Sequence, residues 1–223
     1  MRIIDLSQEI FHNAKAYPGF VTGVEIQRTA DFTTEGYNRS AFSLLDFHYG
    51  THIDMPSHFI QDGATLSSIV LIHGKARIFK FEKTALEPQD ISISKIRTGE
   101  IILISAGWDR RLHTKEYFSN YPYLSEDLAE ILSKKKIKCL GIDTPSPDKH
   151  NTVDFEIHKT ILGSGIPIIE GLINLNKLAE SKEQAFFIAM PLNIKGVEAS
   201  PVRAIAVLSN SRSDFLNLIN ESW

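Results

Sequence analysis

The residues best suited to chemistry lie in one short segment, residues 48–58. Three of the chain's eight histidines, His48, His52 and His58, fall within these eleven positions, and Asp54 lies among them. Neutral imidazole and carboxylate are the usual ligands of Zn²⁺ and of harder divalent ions such as Mn²⁺. The spacing matches none of the standard zinc motifs. A metal site is therefore one interpretation; the other is that the histidines are surface or hydrogen-bonded core residues and that Asp54 is a turn acid.

The backbone of this segment is expected to be extended or looped. Gly50 and Pro56 disfavour a helix, so the four-residue spacing of His48 and His52 does not place both on one helix face. In an extended chain, His52 and Asp54 point to the same side. A turn at Gly50 would let His48 converge on them, and the three side chains make a plausible set of metal ligands.

Two further groups differ in their expected roles. His58 follows the proline and need not reach a metal, which leaves it available for proton transfer beside one. Cys139 is the only cysteine and lies in the apolar run 137–140. We expect it to be an inert core residue, and a lone thiol is consistent with a reducing, cytoplasmic setting.

Short apolar runs predict the strands that would position these groups. The runs are rich in Ile and Val and are bounded by Gly, Pro or Asn. They comprise residues 101–105, 137–142, 166–169, 185–189 and 202–208.

Helices are predicted mainly in the second half of the chain. Ser125, followed by two acidic residues, predicts a helix start, and the lysines at 134–136 predict its end. A short helix is also expected near residues 213–220. The first half alternates between polar and apolar residues and is predicted to be β-rich. Because no linker divides the chain, we predict a single α/β domain over residues 1–223 with a mixed sheet.

Composition argues against several classes of protein. There are 24 Lys and Arg residues against 27 Asp and Glu residues, a formal net charge of −3, so a nucleic-acid partner is not expected. The longest uncharged stretch, residues 63–74, is too short to span a bilayer. Asp5 interrupts the N-terminus before an apolar signal segment can form. We therefore expect no membrane association.

The whole pattern His-x-Gly-Thr-His-x-Asp-x-Pro-x-His over residues 48–58 resembles the signature of the cyclase family of metal-dependent hydrolases. Bacterial kynurenine formamidases are the best-known members, and isatin hydrolases are relatives. The likeness continues in family order through residues 4–7, 17–19, 106–109, 141–146, Asp148 and 201–204. It implies a barrel-like β core flanked by helices, of the swivelling β/β/α type.

The resemblance also implies a site with two divalent ions, either Zn²⁺ or Mn²⁺. The implied ligands are His48, His52 and Asp54 for one ion, and His158, Glu170 and a bridging Asp54 for the other. His58 takes the catalytic acid/base position. Without the resemblance, His158 would be interpreted as a helix-surface residue and Glu170 as a strand-end charge.

The implied activity is hydrolysis of a small-molecule amide, an aryl formamide such as N-formylkynurenine. Thr51 or Tyr49 would steady the metal ligands, and Phe20, Phe47 or Phe59 would face the aromatic ring. One alternative is hydrolysis of another lactam, lactone or ester; another is a metal-dependent binding module without catalysis. The resemblance further implies a homodimer. After Pro18-Gly19 this chain has Phe20, whereas many family members have Asp at that position. Because this segment borders the pocket in the family, the identity of the substrate stays open.

Overall fold

A computed structural model describes residues 1–14, 17, 23–181 and 183–209, and the fold is mixed α/β. The strands are β1 (Arg2–Asp5), β2 (Val24–Ala30), β3 (Arg39–Leu45), β4 (His52–Asp54), β5 (Ile72–Lys80), β6 (Ala85–Leu86), β7 (Ile101–Ser105), β8 (Tyr123–Leu124), β9 (Cys139–Ile142), β10 (Ile168–Glu170), β11 (Gln184–Pro191) and β12 (Ala199–Ser209). The helices are α1 (Phe32–Glu35), α2 (Glu126–Lys134), α3 (Glu156–Gly163) and α4 (Leu175–Ala179).

Seven strands close into a barrel in the order β12, β11, β5, β7, β9, β10, β4 and back to β12. The pairs from β5 to β10 are parallel, and the others are antiparallel. β12 closes the barrel because its first residues pair with β4, whereas residues further along the strand pair with β1. β2 and β3 form a separate two-stranded ribbon. The predicted barrel-like β core is confirmed.

Two hydrophobic clusters lie on opposite faces of the barrel wall. Ile53, Leu103 and Phe187 belong to the inner cluster, which also contains Cys139. Ile168 belongs to the outer cluster, which packs beneath α2 and α3. Ile53 points inward, so its neighbours along β4 point outward.

The strand and helix predictions are largely confirmed. All five apolar runs contain a strand, although the run 166–169 forms strand only from Ile168 because Pro167 has no N–H to donate to a ladder. The Ser125 hydroxyl caps α2 by accepting from Leu128 N. Cys139 is fully buried, as predicted, and burial raises the pKa of its thiol. The predicted helix at 213–220 lies outside the described residues.

None of the helices in the described part of the chain has the length and apolar character needed to cross a membrane.

Candidate metal centre

The strands β4 and β10 bring an imidazole and two carboxylates together on the outer face of the barrel. His52 and Asp54 alternate with inward-pointing Ile53, and Glu170 lies opposite His52 in the antiparallel register. His52 Nε2 is 3.5 Å from Glu170 Oε2 and 3.6 Å from Asp54 Oδ1. All three side chains are buried.

Two glycines, Gly50 before β4 and Gly171 after β10, allow the backbones at the ends of these two strands to approach each other closely. Gly50 and Gly171 both have positive φ, of 67° and 62°. A Cβ on Gly171 would lie only 2.5 Å from the carbonyl oxygen of Gly50. That same Gly50 carbonyl accepts a hydrogen bond from His52 Nδ1 at 3.0 Å, which turns Nε2 toward the carboxylates. The turn predicted at Gly50 is therefore present.

Helix α3 supplies His158, which is buried rather than exposed on the helix surface. The carboxylate of Asp148 accepts from the backbone N–H groups of Ile157 at 2.9 Å and His158 at 3.2 Å. It also lies 2.5 Å from His158 Nδ1, so the imidazole presents Nε2 to the cluster. That Nε2 is 3.1 Å from Glu170 Oε1 and 3.7 Å from Asp54 Oδ2.

His48 reaches the cluster from the turn before β4. Its backbone N–H donates to Asp46 Oδ1 at 2.9 Å. The ring places Nδ1 2.9 Å from Asp54 Oδ1 and Nε2 3.3 Å from Glu198 Oε1. The structure thus brings together all five side chains that the sequence predicted as ligands.

His58 ends a 3₁₀ helix, Pro56–His58, beside the same cluster. Its ring centroid is 4.4 Å from that of His48 and 5.9 Å from that of His158. Burial lowers the pKa of His58, with the neighbouring imidazoles acting in the same direction and Asp54 opposing them. A neutral imidazole at pH 7 can accept a proton. One nitrogen of His58 also lies within 4.8 Å of ligand atoms of His48 and Asp54, so the position suits a ligand as well.

The donor set fits divalent cations. Both oxygens of Asp54 and Oε1 of Glu170 are buried and accept no hydrogen bond, although imidazole nitrogens approach them. Burial would lower the pKa of His52, but Asp54 and Glu170 outweigh it and raise that pKa to about 9. The buried carboxylates therefore favour positive charge at this position, which is what a metal ion supplies. The carboxylate and imidazole groups are those preferred by Zn²⁺ and Mn²⁺.

A cavity of about 1630 Å³ opens above the cluster. It exceeds the ~300–1,000 Å³ that is usual for small-molecule pockets. Its aromatic walls include Phe11, Tyr17, Phe59, Phe118, Tyr121 and Phe155. The hydroxyls of Tyr17 and Tyr121 are 2.9 Å apart. The site therefore joins a charged floor to aromatic walls.

The other residues predicted near the site fall in different places. Phe47 and Phe59 both line the cavity, and Phe20 lies outside the described residues. The Thr51 hydroxyl donates to the carbonyl of Gly171 at 2.7 Å and accepts from Gln8 N at 2.9 Å, which ties β4 to the residue after Glu170.

Tyr49 is the less direct of the two residues expected to steady the ligands. Its hydroxyl donates to the carbonyl of Glu9 at 3.4 Å.

The sequence interpretation missed Glu198, which contacts His48, and it missed that Asp148 orients His158. The only signal for Asp148 was its place in the family pattern. Glu198 belongs to none of the patterns found in the sequence, so nothing pointed to it.

The segments 106–109 and 141–146 form one junction beside the cavity. The buried carboxylate of Asp143 accepts from the N–H groups of Ala106 at 2.9 Å and Gly107 at 2.8 Å. Burial raises the pKa of Asp143 to about 7, against the effect of these hydrogen bonds. Trp108 Nε1 then donates to the carbonyl of Tyr117, a cavity-lining residue, at 2.8 Å. These motifs support the cavity wall and supply no ligand to the cluster.

The sequence relatives cover nearly the whole chain. The chain is 28% identical over 205 residues to a kynurenine formamidase of Bacillus cereus, covering 91% of this chain and 95% of the relative. It is 30% identical over 209 residues to an uncharacterised protein of Methanocaldococcus jannaschii, covering 93% and 100% of the two chains.

Solved structures share the fold. Isatin hydrolase A from Labrenzia aggregata matches with a TM-score of 0.81 at 20% identity, covering 94% of each chain. A protein described as a potential metal-dependent hydrolase with cyclase activity matches with a TM-score of 0.68 at 26% identity, covering 92% of this chain and 96% of the other. The sequence profile of the family described as putative cyclase matches residues 4–149. This match spans more than half of the sequence, and the chain therefore belongs to the putative cyclase family.

Proposed function

We propose that this chain is a metal-dependent hydrolase that cleaves a non-peptide C–N bond in an aryl formamide such as N-formylkynurenine. The observation that carries the proposal is a pair of buried carboxylates at the floor of an aromatic cavity: both oxygens of Asp54 and Oε1 of Glu170 lack hydrogen-bond partners. Relatives named kynurenine formamidase, 28% identical over about nine-tenths of this chain, support the choice of substrate.

Two divalent ions, Zn²⁺ or Mn²⁺, would be held by these residues. His48, His52 and Asp54 would bind one ion, and His158 and Glu170 would bind the other together with Asp54. Such ions polarise a carbonyl group and activate water at neutral pH.

The protein's own side chains supply the proton transfer and the binding of the ring. Burial lowers the pKa of His58 and so favours its neutral form, and the ring lies beside the ligands; it can therefore accept a proton from the attacking water and deliver it to the leaving nitrogen. An amine leaves poorly without that proton. Phe59 packs with Phe155, with ring centroids 5.2 Å apart, and this pair offers an apolar face to an aryl group.

We further propose that the chain works in a reducing, cytoplasmic compartment and has no nucleic-acid partner.

We also propose that the chain forms a homodimer. Phe42 on β3 and Phe32 on α1, between β2 and β3, are both exposed. A two-stranded ribbon is marginally stable by itself, so pairing between ribbons would stabilise it. A monomeric mass in solution at micromolar concentration would contradict the dimer.

The test combines metal analysis with a hydrolysis screen. Purified protein is assayed before and after chelation and after return of Zn²⁺ or Mn²⁺, on N-formylkynurenine, a simple aryl formamide, an aliphatic formamide and isatin. We expect metal-dependent cleavage of the aryl formamides in preference to the aliphatic one. If only isatin is hydrolysed, the substrate is a lactam rather than a formamide. Metal binding without any turnover would indicate a binding module.

A further inference from the structure

Two imidazoles of the cluster share one arrangement, in which one ring nitrogen faces the carboxylates and the other bonds to an outer partner. His52 donates to a backbone carbonyl, and His158 is paired with the buried carboxylate of Asp148. Outer partners of this kind fix the tautomer and orientation of a metal-binding imidazole and raise its basicity. His48 shows the same arrangement only if Glu198 is counted as its outer partner.

His48 is the imidazole that most needs such a partner. Its side chain is 29% exposed, against 6% for those of His52 and His158, so packing restrains it least. It lies on a turn outside β4, and the ring of His58 stacks on one of its faces with an interplanar angle of 34°. Stacking limits the tilt of the ring but does not decide which edge faces Asp54, because a half-turn about the Cβ–Cγ bond keeps the ring plane and exchanges Nδ1 with Cδ2. A hydrogen bond at Nε2 does.

Closure of the barrel delivers Glu198 to this position. Glu198 directly precedes β12, whose first residue, Ala199, pairs with Asp54. The carbonyl of Glu198 accepts from Met55 N at 2.8 Å, which anchors its backbone beside the end of β4. Its carboxylate then meets His48 Nε2 at 3.3 Å, while His48 Nδ1 faces Asp54 at 2.9 Å.

We propose that Glu198 is a positioning residue that orients His48, so that Nδ1 of the imidazole faces the metal. This inference rests on the metal site of the proposed function but not on the reaction. Glu198 is 40% exposed and lines the cavity, so replacing it leaves the barrel core untouched.

The experiment measures Co²⁺ binding to the full chain by chelator competition and by the visible spectrum of the cobalt-loaded protein. Glu198→Ala is compared with Glu198→Gln, with His48→Ala, and with Glu180→Ala, an exposed control on α4's C-terminal side. We expect Glu198→Ala to lower Co²⁺ affinity by about ten- to a hundredfold, as loss of an outer partner typically does. Glu198→Gln keeps an acceptor oxygen and should restore most of that loss, and the cobalt bands should keep their number and intensity. Glu180→Ala should match the wild type.

Three results would overturn the inference in distinguishable ways. If Glu198→Ala keeps wild-type affinity while His48→Ala loses it, Glu198 does not position the ligand. If Glu198→Gln loses metal as fully as Glu198→Ala and the band intensities change, Glu198 is itself a ligand. If His48→Ala keeps full affinity, His48 is not a ligand, and the metal site of the proposed function is misassigned as well.

Discussion

Asp148 combines two roles that one pair of substitutions can separate. Its carboxylate caps the N-terminus of α3 through the N–H groups of Ile157 and His158, and it orients the His158 ring through Nδ1. Phe155, at the N-cap position, makes no side-chain cap. Asn has one acceptor oxygen in place of two, so Asp148→Asn should leave one of these backbone N–H groups without an acceptor and should remove the charge that holds the imidazole.

The expected magnitudes follow from these contacts. Asp148→Asn should weaken metal binding by about ten- to a hundredfold, or about 1.4–2.8 kcal/mol. The free energy of unfolding of the metal-free protein should fall by about 1 kcal/mol, because one buried N–H group loses its acceptor. Asp148→Ala should show the same weaker binding and lose roughly 2 kcal/mol of stability, because two buried N–H groups lose their acceptor.

Chelator competition and urea unfolding of the metal-free protein provide the two readouts. Asp127→Asn is the matched control, because Asp127 is an exposed acid in the first turn of α2. Wild-type metal affinity in Asp148→Asn would refute the orienting role. A large loss of stability in Asp148→Asn would show that the helix cap, rather than the imidazole, dominates.

Four further outcomes are expected. His52→Ala should lose metal and activity together, measured on one preparation; full metal content would show that His52 is not a ligand. His58→Ala should keep its metal and lose at least about a hundredfold in turnover, whereas loss of metal would make His58 a ligand and near-normal turnover would exclude its acid/base role. The pKa of His52 is raised to about 9, so its imidazole is protonated at neutral pH and a metal ion must displace that proton. Metal affinity should therefore rise about tenfold per pH unit for each proton displaced, and an affinity that does not change between pH 7 and 8 would contradict this. Gly171→Ala should cost more than about 2 kcal/mol in urea unfolding, because its Cβ would strike the Gly50 carbonyl, whereas Gly165→Ala, with positive φ but open space, should cost only about 1 kcal/mol.

Local chemistry was sufficient to predict the short-range geometry of the site. The alternation of His52, Ile53 and Asp54 follows from the period of an extended chain, and the turn at Gly50 follows from a backbone that tolerates positive φ. The strands at 101–105 and 202–208 could be predicted from the sequence, because short apolar runs rich in Ile and Val are typical of strands buried on both faces.

Contacts between distant parts of the chain could not be predicted from neighbouring residues alone. Spacing by itself assigned His158 to a helix surface, and only the family pattern brought it and Glu170 into the predicted site. In the structure, the cap from Asp148 turns α3 so that His158 faces Glu170.

Glu198 marks the limit most clearly, because it stands 150 residues from His48 and belongs to no motif. The sequence by itself determined which short segments could bind a metal and how each would be shaped, since these depend on a few neighbouring residues. Only the tertiary structure decided which buried carboxylates lack partners and which acceptors orient the imidazoles. Those properties depend on how β12 closes the barrel against β4, a register set by packing along the whole chain.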